Sequence, residues 1–129
     1  MKPRILIVDD DEAIKQQMFW TLCDDYDVVT ANDLPSAVRR IKVYEPAISI
    51  LDLQLPPETT SPEVGLRILE YIKGHLPKTK VLVMTGADAD SVRDACFAQG
   101  ADEFLNKPFD TELLIATMRR MAPPSLDLV

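Results

Sequence analysis

Glycine, cysteine and histidine are scarce in this chain, and no long apolar run interrupts it. Four glycines in 129 residues leave no glycine-rich loop after the first apolar run, where Asp9-Asp10-Asp11-Glu12 stand instead. A flavin-phosphate cradle there would need small or hydroxyl residues, and acid would repel the phosphate. The two cysteines, Cys23 and Cys96, fall inside helix-like patterns and are expected as buried free thiols in a reducing compartment rather than as a disulfide. The single histidine, His75, stands beside Gly74 at a helix end, where a solvated or C-capping side chain is expected. No run approaches the ~20 apolar residues of a membrane span. The opening Met1-Lys2-Pro3-Arg4 leads only to Ile5-Leu6-Ile7-Val8 before the acid, which is too short and too acidic for a signal peptide. Positive charge is the last shortage. Lys plus Arg is 14 against 21 Asp plus Glu, for a net charge of −7. That argues against this domain gripping nucleic acid or an anionic membrane by itself. A cytoplasmic location is the expectation.

What is present is an ordinary globular composition, 47% apolar and 27% charged, in a length that makes one domain with a proper core. Residues 4–8 read as a central strand. A helix follows over 12–23 with Ile14, Met18 and Leu22 as its inward stripe, leaving Phe19 and Trp20 away from it. A short strand spans 26–31. Asn32-Asp33 offers a cap for a helix over 34–44, with Pro35 in its first turn and Pro46 as its stop. The apolar run 47–51 is a buried strand. A long loop over 53–64 leads to a helix over 65–73 with Leu66, Leu69 and Ile72 inward, ended by Gly74 and Pro77. A strand over 81–84, a helix over 88–99 with Val92, Ala95, Cys96 and Gln99 inward, and a strand over 103–105 follow. Asp110 caps a last helix through Met121, and residues 122–129 read as a tail or the start of a linker. Five β-α alternations imply an α/β sandwich doubly wound around a parallel five-stranded sheet.

The informative residues stand where strands end. Asp9 and Asp10 follow the first strand, Asp52 the third, Thr85 the fourth and Lys107 the fifth. Open parallel sheets place their chemistry at the carboxyl ends of strands. Asp52 is a poor helix cap, since Pro56-Pro57 follow so closely. Three carboxylates pressed together need a cation, and few all-oxygen ligands suit magnesium, which keeps waters and shares a phosphate. A carboxylate can also be a nucleophile and become an acyl phosphate. Magnesium, the Lys107 ammonium and the Thr85 hydroxyl together can neutralise charge on a transferring phosphoryl group.

These stretches resemble the receiver domain of bacterial two-component response regulators. The matching segments are Ile5-Leu6-Ile7-Val8-Asp9-Asp10-Asp11, Leu51-Asp52-Leu53-Gln54-Leu55-Pro56, Val81-Leu82-Val83-Met84-Thr85-Gly86, Gly100-Ala101 and Lys107-Pro108-Phe109. They stand in family order and cover the chain to about Met121, so that residues 1–121 would be the receiver. The resemblance implies a flavodoxin-like (βα)5 fold with strand order 2-1-3-4-5. It implies Mg2+-dependent phosphoryl transfer from a sensor histidine kinase, or a histidine phosphotransfer protein, to Asp52. Asp10 would contact the metal, Asp9 would help hold it or its waters, and Gln54 would add a backbone carbonyl. Thr85 would be the switch hydroxyl, with Phe104 turning inward as it moves. The Lys107-Pro108 bond would be cis, and Gln54 and Ala87 would tune phosphoryl lifetime. The domain would catalyse only its own phosphorylation and dephosphorylation, would bind no nucleic acid directly, and would offer the helix 4-strand 5-helix 5 face to a partner or a second copy.

Two features depart from the family pattern. The loop 57–64 is longer than usual and reads first as a tolerated surface insertion, with a partner or kinase contact as the alternative. Such Pro-Pro loops resemble those of receivers attached to sigma-54-dependent, AAA+-type transcription activators, and transcription regulation is the output this suggests. Phe19 and Trp20 are large aromatics off the core stripe, placed either to dock a partner helix or to pack under a neighbouring loop. A competing enzymatic reading is a haloacid-dehalogenase-like phosphatase with Asp9 as nucleophile and Asp11 as general acid. It wants Thr or Val where Ala13 stands, and leaves Asp52 without a role.

Overall fold

The computed structural model describes residues 2–57, 61–86 and 90–121, with the backbone alone described at 90 and 91. Five strands, β1 (Arg4–Val8), β2 (Asp27–Ala31), β3 (Ile48–Asp52), β4 (Lys80–Thr85) and β5 (Glu103–Asn106), alternate with five helices. These are α1 (Glu12–Leu22), α2 (Leu34–Tyr44), α3 (Glu63–His75), α4 (Asp90–Ala98) and α5 (Thr111–Met121). The strands form one sheet in the order β2-β1-β3-β4-β5, every pair parallel. The flavodoxin-like arrangement is the one expected.

The sheet is central because its strands are apolar on both faces. Leu6, Val8, Leu51, Val81 and Val83 point into one core with Ile41, Ile68, Leu69 and Ile72 of α2 and α3. Ile5, Ile7, Ile50, Leu82 and Met84 point into the other with Met18 and Leu22 of α1 and Leu114 and Met118 of α5. Each such fully buried side chain contributes about 1.5–3 kcal/mol relative to exposure, so the two cores fix the register without help from the loops. That register sets Val8 beside both Ala31 and Leu51, Asp52 beside Met84, and Thr85 beside Asn106. The strand ends therefore form one continuous edge.

Several local expectations shift. Others resolve: of the expected Asn32-Asp33 pair, Asp33 caps α2, its carboxylate accepting from Ser36 N while Ser36 Oγ accepts from Asp33 N. The α1 stripe is Lys15, Met18 and Leu22, and Ile14 is only half-buried. α3 begins at Glu63, runs through Gly74 to His75, and buries Ile68 where Leu66 was expected. Gln99 is exposed; both cysteines are free thiols as expected, but only Cys96 is buried and Cys23 is half-buried. Gly100 follows α4 with φ +104, the left-handed conformation that favours glycine. The expected helix start at Asp88, the residue Ala87, the centre of the 57–64 loop and the tail 122–129 lie outside the described residues.

Candidate functional site

Asp9 is fully buried, the first residue beyond β1, with its own N–H donating to Ala31 O at 3.1 Å. Its carboxylate is held twice. Oδ1 accepts from Asp11 N at 2.9 Å, and Oδ2 accepts from Lys107 Nζ at 2.9 Å. Asp52 closes β3 with 4% exposure, its Oδ1 accepting from Gln54 N at 3.2 Å and its Oδ2 standing 3.3 Å from Lys107 Nζ. Asp10 is exposed. One carboxylate oxygen from each of Asp9, Asp10 and Asp52 falls within 4.8 Å of the others, a group that can hold a metal ion. All-oxygen donors of this kind suit a hard divalent cation.

The electrostatics follow from crowding two buried acids around one base. Burial first, and the Asp9 charge second, push the Asp52 carboxyl up to about 6, although Lys107 and the Gln54 amide oppose the shift. Burial pulls Lys107 down, but its hydrogen bond to Asp9 and the charges of Asp52 and Asp9 outweigh this and raise it. The ammonium thus serves two carboxylates at once. Lys107 is aimed by the β5–α5 turn, where its N–H donates to Thr85 O at 2.9 Å and the Lys107-Pro108 bond is cis, as expected. Thr85 is buried at the neighbouring strand end.

The strand-end residues singled out in the sequence therefore lie along one edge. Asp9, Asp10, Asp52 and Lys107 form the pocket and Thr85 its neighbour, whereas Phe104 sits outside it, half-buried on β5. Its ring lies 6.5 Å from that of Phe97, with the Arg93 guanidinium 6.0 Å from its centroid. Asp11 is committed elsewhere: its Oδ1 accepts from Ala13 N and Ile14 N as the cap of α1. The phosphatase reading needs that carboxylate as a free acid, and so loses its proton donor. One residue beside this edge was missed. Lys15 is 4% exposed and donates to Glu12 Oε1 at 2.7 Å and to Asn32 Oδ1. Stepping the Met18–Leu22 stripe back by three positions lands on 15, a signal present in the sequence but outweighed by the lysine's charge.

A doubly wound sheet whose central strands end in a three-carboxylate pocket, closed by a lysine from the fifth strand's loop, defines a narrow class of α/β domains. The model of the response regulator receiver domain matches residues 5–119. The chain belongs to that family, and is a receiver domain of two-component signalling. Response regulator MprA of Mycobacterium tuberculosis is 34% identical over 122 residues, 94% of this chain and 51% of the relative. The chain thus spans about half the length of the curated relatives it matches. Among solved structures, the BeF3-activated DrrB receiver domain is 28% identical with a TM-score of 0.84, over 94% of this chain and 97% of that one. NtrX from Brucella abortus is 30% identical with a TM-score of 0.83, over 94% of this chain and 27% of that one. Among the described residues no helix is long and apolar enough to cross a membrane.

Proposed function

We propose that Asp52 is the phosphoacceptor of this receiver, with Mg2+ as its metal. The observation that carries this is the shared ammonium: Lys107 Nζ bridges Asp9 and Asp52 beside a third carboxylate. An Asp52 oxygen attacks the phosphorus of a phosphohistidine on a sensor kinase or phosphotransfer protein. The P–N bond breaks, the electron pair leaves with the imidazole, and an acyl phosphate remains. Asp9, Asp10, Asp52 and the Gln54 carbonyl would hold the metal, which supplies charge neutralisation on the phosphoryl oxygens. Lys107 moves from Asp9 toward the new phosphoryl group, and Thr85 donates its hydroxyl to it, with Phe104 following. Water later attacks the same phosphorus and regenerates Asp52. The chain catalyses only this gain and loss of its own phosphoryl group.

The donor docks, in this reading, on the groove between α1 and α5. A cavity of about 270 Å³ lies there, walled by Ile14, Met18, Phe109 and Leu114, and Lys107 and Pro108 join it to the pocket. Trp20 stands 72% exposed on α1, its ring edge-on to Phe19 at 5.3 Å. Phe19 itself is half-buried and lines a shallow cavity with Cys23, Tyr26 and Val28. The output we favour is transcription regulation through the α4–β5–α5 face, where Phe97 and Leu113 are exposed and a second copy can pair. Residues 122–129 would then act as tail or linker, and the whole would work in the cytoplasm, where the donor kinase presents its histidine.

Intact mass after incubation with Mg2+ and acetyl phosphate tests the acceptor. A single phosphoryl adduct is expected on the wild type, lost in Asp52→Asn and lost with EDTA. An adduct on the Asn variant would refute the assignment.

A further inference from the structure

Of the three clustered carboxylates, Asp10 alone lacks a tether. Asp9 is fixed by Asp11 N and Lys107, and Asp52 by Gln54 N and Lys107. Among the described residues nothing hydrogen-bonds to or pairs with the Asp10 side chain. Its place near the other two therefore depends on the backbone of the turn from 9 to 12. That turn is pinned on both sides to the end of β2. On one side Asp9 N donates to Ala31 O. On the other, Lys15 reaches across from the first turns of α1 to Asn32 Oδ1, and also to Glu12 Oε1. Asn32, the first residue past β2, thus holds the far side of the same turn.

The burial of Lys15 has no evident stability reason. It takes an inward position that Met18 and Leu22 would continue with an apolar residue, and exchanging a buried charge pair for an apolar side chain of similar volume is often neutral or stabilising. Asn32 is also free of the capping role, which Asp33 fills. We propose that Lys15 and Asn32 are positioning residues for the metal site: their contact holds the 9–12 turn so that the Asp10 carboxylate stays within reach of Asp9 and Asp52. This rests on the reading of the three carboxylates as a Mg2+ site.

The test is Mg2+ affinity by titration calorimetry, with the thermal midpoint of the metal-free protein measured beside it. Lys15→Met is expected to melt at or above the wild-type midpoint and to bind Mg2+ about tenfold more weakly, the lower end of the usual effect of losing an outer support of a metal site. Asn32→Ala, at an exposed position, should show the same loss, Lys15→Arg should restore most of the affinity, and the Met/Ala double variant should lose no more than either single one. Wild-type affinity in Lys15→Met or Asn32→Ala would overturn the positioning role, as would losses that add. If Lys15→Met fails to fold, Asn32→Ala alone decides. Failure of the wild type to bind Mg2+, or of Asp10→Asn to weaken it, would instead sink the metal reading beneath the proposal.

Discussion

Asp52 is a reluctant anion in the metal-free protein, and that reluctance has a measurable sign. Its carboxyl is pushed up to about 6 by burial and by Asp9, whereas an unfolded chain would release the proton near pH 4. Between these values the folded state binds more protons than the unfolded one, so this group's contribution to stability is full below about pH 4 and is lost as pH rises through about 6. Asp52→Asn should remove that slope. Without metal at pH 7 the variant should be more stable than the wild type, by on the order of 2 kcal/mol, and the gap should close by pH 4 in urea titrations. Adding Mg2+ should stabilise the wild type much more than the Asn variant, because a cation that binds the native state adds RT ln(1 + [L]/Kd). An Asn variant that is less stable at pH 7 would show that Lys107 depends on Asp52 more than Asp52 suffers from its surroundings.

At the scale of elements, α3 shows where sequence reasoning stops. The strands are legible because both their faces are apolar, and the acid, threonine and lysine that end them are legible because strand ends are where such residues have chemistry. The start of α3 is not. Pro62 at its N-cap makes no side-chain bond, and the first turn is instead tied by Gly65 N donating to Leu53 O at 3.2 Å, a contact between distant residues. The end misleads for a related reason: Gly74 looks like a stop, but the helix continues to His75, whose ring stacks on Tyr71 at 4.1 Å. The spacing that buries Lys15 was legible, but its partner was not, since Asn32 lies distant in sequence, just past β2. The two α3 glycines consequently predict opposite outcomes. A Cβ at Gly65 would stand 2.3 Å from Leu53 Cα, whereas one at Gly74 meets nothing within 4 Å. Gly74→Ala should stabilise by about 0.5–1 kcal/mol. Gly65→Ala should destabilise by roughly 1–3 kcal/mol and, by displacing Leu53, should slow acetyl phosphate labelling of the adjacent Asp52. Denaturation midpoints and labelling rates of the pair check both signs.

For the molecule as a whole, two kinds of phosphodonor separate pocket from surface. In the proposed reading a small donor needs only the acidic edge, while a kinase needs the α1–α5 groove as well. Ile14→Ala, in the wall of that groove, should therefore leave the acetyl phosphate rate unchanged and slow transfer from a phosphorylated histidine domain by about tenfold, the loss of one typical anchor contact. Equal rates from both donors would move the docking surface elsewhere. The parallel sheet carries one more consequence. Ala47 N donates to Arg4 O, Lys80 N donates to Ala47 O, and Met121 at the end of α5 lines the same cavity as Ala47 and Lys80. The described chain therefore enters and leaves at one pole, a full strand length of about 17 Å from the pole that carries Asp52. Both described ends thus lie away from the proposed phosphoacceptor, so the domain is laid out like a plug-in cartridge, with its connectors at the back and its acidic edge at the front.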